Sequence, residues 1–150
     1  MPQKFRKERA KALLRYIQDR LQQFFPKTYT YLQGTTRLMK LVYLVDWLYA
    51  RYSEEPSFTH ARWKYHYYGP YAKEIQELME VEEKELEDGR VFKKVKTVEG
   101  NVEFLDDLVK KIADYVVKEF GDYPLDELLE LVYSTPPMRK AEQGDEIHLR

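Results

Sequence analysis

The chain has 150 residues, 43% of them hydrophobic, and a formal net charge of −1; that length suits one domain with a proper core and is too short for two. It contains no cysteine, which excludes disulfides, thiolate metal sites and a cysteine nucleophile. No apolar run approaches the roughly 18 residues a membrane span needs, and the charged start is unlike a signal peptide, so the expected location is the cytoplasm.

The near-neutral total conceals an asymmetry. Residues 1–40 hold ten lysines and arginines against Glu8 and Asp19, a balance of +8, and the remaining 110 residues carry −9. Such polarity draws an acidic partner or nucleic acid to one end, although a charged helix face is ordinarily just solvated. The first helix is expected over about residues 5–25, with Ala10, Leu13, Leu14, Ile17, Leu21 and Phe24 as its buried stripe and Pro26 beyond its end. Lys7, Lys11 and Arg15, each four apart, form a basic line along its flank.

A second helix is expected from Thr35 to about Tyr52. Leu38, Leu41, Val42, Val45, Leu48, Tyr49 and Tyr52 recur at helical spacing. Thr35 and Thr36 stand where a hydroxyl can accept from first-turn amides. The other face carries Lys40, Tyr43, Trp47 and Arg51. A helix apolar on nearly all sides belongs in the middle of a domain. If its second face is exposed, those four residues and the basic line of Lys7, Lys11 and Arg15 are the candidate partner-binding set, since aromatic and arginine anchors typify interfaces.

Ser53–Ser57 reads as a loop. Phe58–Tyr67 reads as a strand with Ala61, Trp63, Tyr65 and Tyr67 on one side and His60, Arg62, Lys64 and His66 on the other. Gly69-Pro70 is expected to open a helix whose stripe is Ile75, Leu78, Met79 and Leu86, with Glu80–Asp88 as its solvated face. Arg90–Phe104 reads as a hairpin turning at Glu99-Gly100-Asn101. A helix opened by Asp106 or Asp107 then buries Leu108, Ile112, Tyr115, Val116 and Phe120 and stops at Gly121. A short helix, Leu125–Tyr133, follows Pro124 and breaks at Ser134-Thr135-Pro136-Pro137, with the tail from about residue 142 frayed. The expected class is therefore mainly α with a small antiparallel β-sheet, a single domain over residues 1–150.

The search for chemistry is nearly empty. No serine sits in a Gly-x-Ser-x-Gly elbow and no glycine-rich phosphate loop exists. His60 and His66 could share a strand face but have no third ligand at metal spacing. No catalytic residue, metal or cofactor is expected. Asp46, a carboxylate inside the apolar helix, is read as bonded to a core tyrosine or arginine. Arg62-Trp63-Lys64-Tyr65-His66-Tyr67, with Lys93, Lys94 and Lys96, has the aromatic and cationic mixture that holds single-stranded nucleic acid. Strand alternation, however, sends the aromatic groups and the charges to opposite faces. Nucleic-acid binding, through this run or the basic first helix, stays the alternative to protein binding.

Thr36-Arg37-Leu38-Met39-Lys40-Leu41-Val42-Tyr43-Leu44-Val45-Asp46 resembles the lysine- and leucine-rich "KLxKLlYlaD" helix of the Panacea domain, the SocA-like antitoxin family. In that family an aromatic strand closing on Tyr-Gly-Pro follows, here Tyr68-Gly69-Pro70. A late "Thr-His-x-x-Pro-Trp" motif has a diverged counterpart in Leu128–Met138, with Tyr133 where the His usually stands, Met138 where the Trp does, and Pro137 kept. The resemblance covers roughly residues 30–141. It implies a signature of Leu38, Lys40, Leu41, Tyr43, Asp46, Tyr68, Gly69, Pro70 and Pro137, and a mostly helical domain without enzymatic activity. It further implies a cognate toxin protein, encoded by the adjacent gene, as the partner to be bound and blocked or, as in SocA itself, delivered to a protease. Apart from the resemblance, no membrane partner is expected and a homodimer is an open alternative.

Overall fold

The computed structural model describes residues 4–150. Helix α1, Lys7–Phe24, and helix α2, Thr35–Tyr52, are joined by a 3-10 turn at Tyr29–Leu32. A hairpin of β1, Lys64–His66, and β2, Gly69–Tyr71, comes next, then the single helical turn α3, Lys73–Gln76. A second hairpin pairs β3, Val81–Glu85, with β4, Val91–Val95. Helices α4, Asp107–Phe120, α5, Leu125–Ser134, and α6, Pro136–Lys140, complete the order.

Helix α2 is the axis of the molecule. It packs against α1, α4, α5 and β2, and every residue from Arg37 to Asp46 is buried. This is the all-round burial its composition implies, although Tyr52 at its end is exposed. Its N-cap is Gly34, with no side-chain cap, so Thr35 and Thr36 lie inside the first turn and do not supply the expected hydroxyl bond. Helix α4 does start on a cap: the Asp106 carboxylate accepts from Val109 N at 2.7 Å. Its buried face is Val109, Ile112, Ala113, Val116 and Val117, one residue round from the expected stripe, and Tyr115 points to solvent.

The strands differ most from expectation. The long strand Phe58–Tyr67 contracts to Lys64–His66, because the backbone before it is held by a side chain of α2 rather than by a neighbouring strand. Gly69-Pro70 opens no helix: Pro70 lies in β2 opposite Tyr65, at a sheet position where a missing N–H is tolerated. Only Lys73–Gln76 is helical in the stretch expected to run to Asp88. The Glu-rich segment is instead β3, whose glutamates face lysines of β4, Glu82 opposite Lys94 at 3.7 Å and Glu83 opposite Lys93, while Glu80 and Lys96, just outside the two strands, pair at 3.1 Å. The expected hairpin therefore moves upstream, and Val102–Phe104 is a 3-10 turn, not a strand. Gln18, buried on α1, holds the chain leaving β4 by donating to Lys96 O at 3.1 Å and accepting from Val98 N at 2.8 Å.

The C-terminal tail is not frayed. Tyr65 N donates to Asp145 O, Gly144 N to Tyr65 O and Ile147 N to Trp63 O, each at 2.8 Å. The tail thereby adds a third, short run to the open edge of β1, and Ile147 and Leu149 are buried. Ser134-Thr135-Pro136-Pro137 interrupts the helix for one residue only, Thr135, before the prolines open α6, a first-turn position that proline suits.

Candidate functional site

Asp46 is fully buried and accepts four hydrogen bonds. One carboxylate oxygen takes Phe58 N at 3.1 Å and Thr59 N at 3.0 Å. The other takes Thr59 Oγ1 at 2.5 Å and the Trp63 indole N–H at 2.9 Å. These partners replace the expected tyrosine or arginine. Burial pushes the carboxyl up to about 6, and the four donors limit the rise. An acid so enclosed acts as a clamp that pins residues 58–63 to α2, with no room for a substrate. Next to the clamp, His60 adopts a positive φ of 56°, and its Nε2 lies 3.0 Å from Glu55 Oε1. His66 is exposed and stacks on Tyr71 at 4.6 Å. The two histidines do not share a face, and among the described residues no three metal-ligating side chains come together.

Beyond the clamp stands the tip of the β1–β2 hairpin. Tyr67 and Tyr68 are 69% and 74% exposed and meet edge-on at 5.2 Å. Tyr133 of α5 fixes this tip, its hydroxyl donating to Tyr67 O at 2.5 Å with His66 O a second, more distant acceptor at 3.2 Å. Gly69 closes the turn with φ +111°, a conformation strained for any L side chain. Its missing Cβ also leaves space for Lys40, whose Cε would lie 3.4 Å from such an atom.

Lys40 is 4% exposed. Among the described residues its ammonium has no hydrogen-bond acceptor and no carboxylate within ion-pair distance. Burial, and secondarily the nearby Arg37 guanidinium, pull it down to about 8. Arg37 itself is held by Gly121 O at 3.2 Å and Tyr123 O at 2.5 Å. Lys40 lines a cavity of about 150 Å³ with Thr35, Thr36, His66, Tyr68 and Tyr71.

The other candidate residues disperse. Tyr43 is fully buried; its hydroxyl bonds Thr135 Oγ1 at 2.8 Å, its ring meets Trp63 edge-on, and burial pushes its hydroxyl up to about 12. Tyr43 and Lys40 therefore cannot belong to an exposed second face of α2. Trp47 is half-buried with the Arg51 guanidinium 5.7 Å over its ring, at the edge of an open 490 Å³ groove bounded by Pro136, Pro137 and Leu149. On α1, Lys7 is exposed and Lys11 half-buried, while Arg15 is engaged with Asp19 at 3.1 Å. Leu38 and Leu41 belong to the core, as do Pro137 and Met138. Trp63 is buried, so the stacking set for nucleic acid loses its largest ring. Tyr67 figures in the sequence only within the aromatic strand and the nucleic-acid run, and Tyr68 only within the family signature; the signal for an exposed aromatic tip is the tyrosine pair directly before a glycine that turns the chain.

The fold defines a small, mostly helical α+β domain in which an acid clamp and an aromatic hairpin are both built onto one central helix. The family described as antitoxin SocA-like, Panacea domain, matches residues 38–137, and the chain belongs to it. That stretch runs from the first turn of α2 to Pro137 in α6 and includes the clamp, the hairpin tip and Lys40. No curated protein and no solved structure matches the chain. The family suggests an antitoxin-type role and is not known for enzymatic activity.

Proposed function

We propose that this chain is a non-enzymatic antitoxin-type module that neutralises a toxin protein by binding it directly. The observation that carries the reading is the Tyr67–Tyr68 tip. Two large aromatic side chains stand in solvent on a hairpin held from behind by Tyr133, inside the stretch that matches the antitoxin family. A pre-set aromatic tip loses little conformational entropy on binding, and tyrosines are enriched among the residues that dominate interface energy. The Trp47–Arg51 pair is a second contact of suitable chemistry, and Lys7 and Lys11 supply a field that draws in an acidic partner. The module acts in the cytoplasm, and its toxin is the product of the adjacent gene.

Co-expression tests this. The neighbouring product alone should arrest growth, and this chain should restore growth and co-purify with it. Replacing Tyr67 and Tyr68 together by Ala should weaken the complex at least about thirtyfold, corresponding to about 2 kcal/mol, with the melting temperature unchanged. A harmless neighbour, or restored growth with no complex, defeats direct neutralisation.

A further inference from the structure

The cavity beneath the hairpin tip collects positive charge and nothing that balances it. Lys40 lines it: the residue is more than nine-tenths buried, and its ammonium, open to the cavity, meets no acceptor among the described residues. Thr35 and Thr36 place the first turn of α2 on the same cavity, and that helix has 18 residues and no side-chain cap. Uncapped first-turn amides and the helix dipole both favour negative charge there. His66 and the Tyr68 and Tyr71 rings complete the wall. An ammonium that opens on a cavity lined by no carboxylate attracts an anion more strongly than one in bulk water.

We propose that this cavity receives one carboxylate, presented by an acidic side chain of a protein docked on the Tyr67–Tyr68 tip. The inference rests on the reading of the chain as a protein-binding module. Three features specify the ligand. A cavity of about 150 Å³ takes a single small group rather than a nucleotide or an extended chain. One ammonium balances one carboxylate. The rim carries Tyr68, one of the two exposed tyrosines of the tip, which suits a protein surface and would leave a free small acid largely uncovered. Burial and Arg37 draw Lys40 down to about 8, and a carboxylate beside it would draw it back up.

Thr36 and Lys40 are one helical turn apart, with the cation on the C-terminal side, the spacing at which a glutamate reaches a lysine. Thr36→Glu should therefore fill the cavity in cis, and Thr36→Gln is its uncharged control at an exposed position. The experiment follows the Lys40 Cε–Hε signals of the isotope-labelled full chain by NMR. The probes are N-acetylglutamate N-methylamide, the matching glutamine derivative, acetate and inorganic phosphate, all at constant ionic strength. The glutamate derivative should give a saturable shift in the millimolar range and the glutamine derivative none. Thr36→Glu should abolish that response and Thr36→Gln should keep it. No saturable shift with the glutamate derivative overturns the pocket. Tighter binding of phosphate overturns the carboxylate, and acetate binding as tightly as the glutamate derivative overturns a protein residue as its source. Loss of the toxin complex with this titration intact defeats the antitoxin reading alone; a stable complex with no titration defeats only the pocket.

Discussion

Asp46 shows how one side chain can be structural and still titrate in an accessible range. Its two oxygens are saturated by donors, so an amide in its place would turn an N–H toward an N–H or O–H. Asp46→Asn should cost at least about 2 kcal/mol at pH 7, because buried donors lose their acceptor. The pH dependence has a definite sign. Burial raises the folded carboxyl to about 6, above its unfolded value, so the native state holds this proton more tightly. Its contribution to stability is full below about pH 4 and is lost as pH rises through about 6. The gap in urea-unfolding free energy between the natural chain and Asp46→Asn should thus widen as pH falls from 7 to 4; a constant gap refutes the titration. That Asp46 is bonded inside an apolar helix was legible in the sequence. Its partners were not, since Thr59 and Trp63 lie well along the chain and meet it only through the loop they fasten. Lys40 was harder still: a lysine between Met39 and Leu41 has the same letters whether its ammonium reaches water or ends in a cavity.

At the scale of elements, helices whose stripes recur at 3.6 residues were legible and charged strands were not. α1, α2, α4 and α5 lie close to their expected bounds because each carries enough apolar residues in phase to announce its face. Val81–Glu85 reads as a helix face because four of its five residues are charged, a composition that strands ordinarily avoid. Its stability comes from pairing with lysines of β4, cross-strand information that no local pattern contains. The tail reads as frayed for a related reason: residues 142–150 are mostly polar, but Ile147 and Leu149 are buried and the backbone at Gly144 and Asp145 bonds to Tyr65 of β1. Ile147→Asp should therefore destabilise the chain by about 2–4 kcal/mol, since it loses apolar burial and places an unpaired charge at a buried position. Trp63 is buried behind this run, so urea unfolding followed by tryptophan emission reads the loss. An unchanged midpoint would mean that the tail contributes no packing.

For the whole molecule, the uneven charge is the feature that sequence and structure share, but they assign it different work. Of the N-terminal cations, Arg9 and Arg20 are paired with Glu55 and Asp114, Arg37 holds backbone carbonyls, Arg15 is tied to Asp19 and Lys40 is buried. Lys7 and Lys11 are left on the flank of α1, without an ion pair among the described residues. Close pairing cancels most of the distant field of Arg9, Arg15 and Arg20, so the field at this end comes chiefly from Lys7 and Lys11 together with the exposed Lys4, Arg6 and Lys27. Such a field acts on encounter rather than on the docked state. Reversing Lys7 and Lys11 to Glu, with Arg15→Glu added, should slow association with an acidic partner about tenfold at low salt and leave dissociation nearly unchanged. Arg15→Glu also sets a repulsion against Asp19 one turn away, a cost of about 0.5 kcal/mol that leaves the fold intact. The rate difference between natural and reversed chains should shrink as salt shortens the screening length below about 10 Å. Surface-immobilised binding at several salt concentrations separates the two rates. If the reversed chain dissociates faster while associating normally, the basic line lies within the contact itself. If the natural chain binds nucleic acid with an equilibrium affinity that falls steeply with salt, phosphate neutralisation is its work. Steering of a protein partner predicts neither, since it places the salt dependence in the association rate alone.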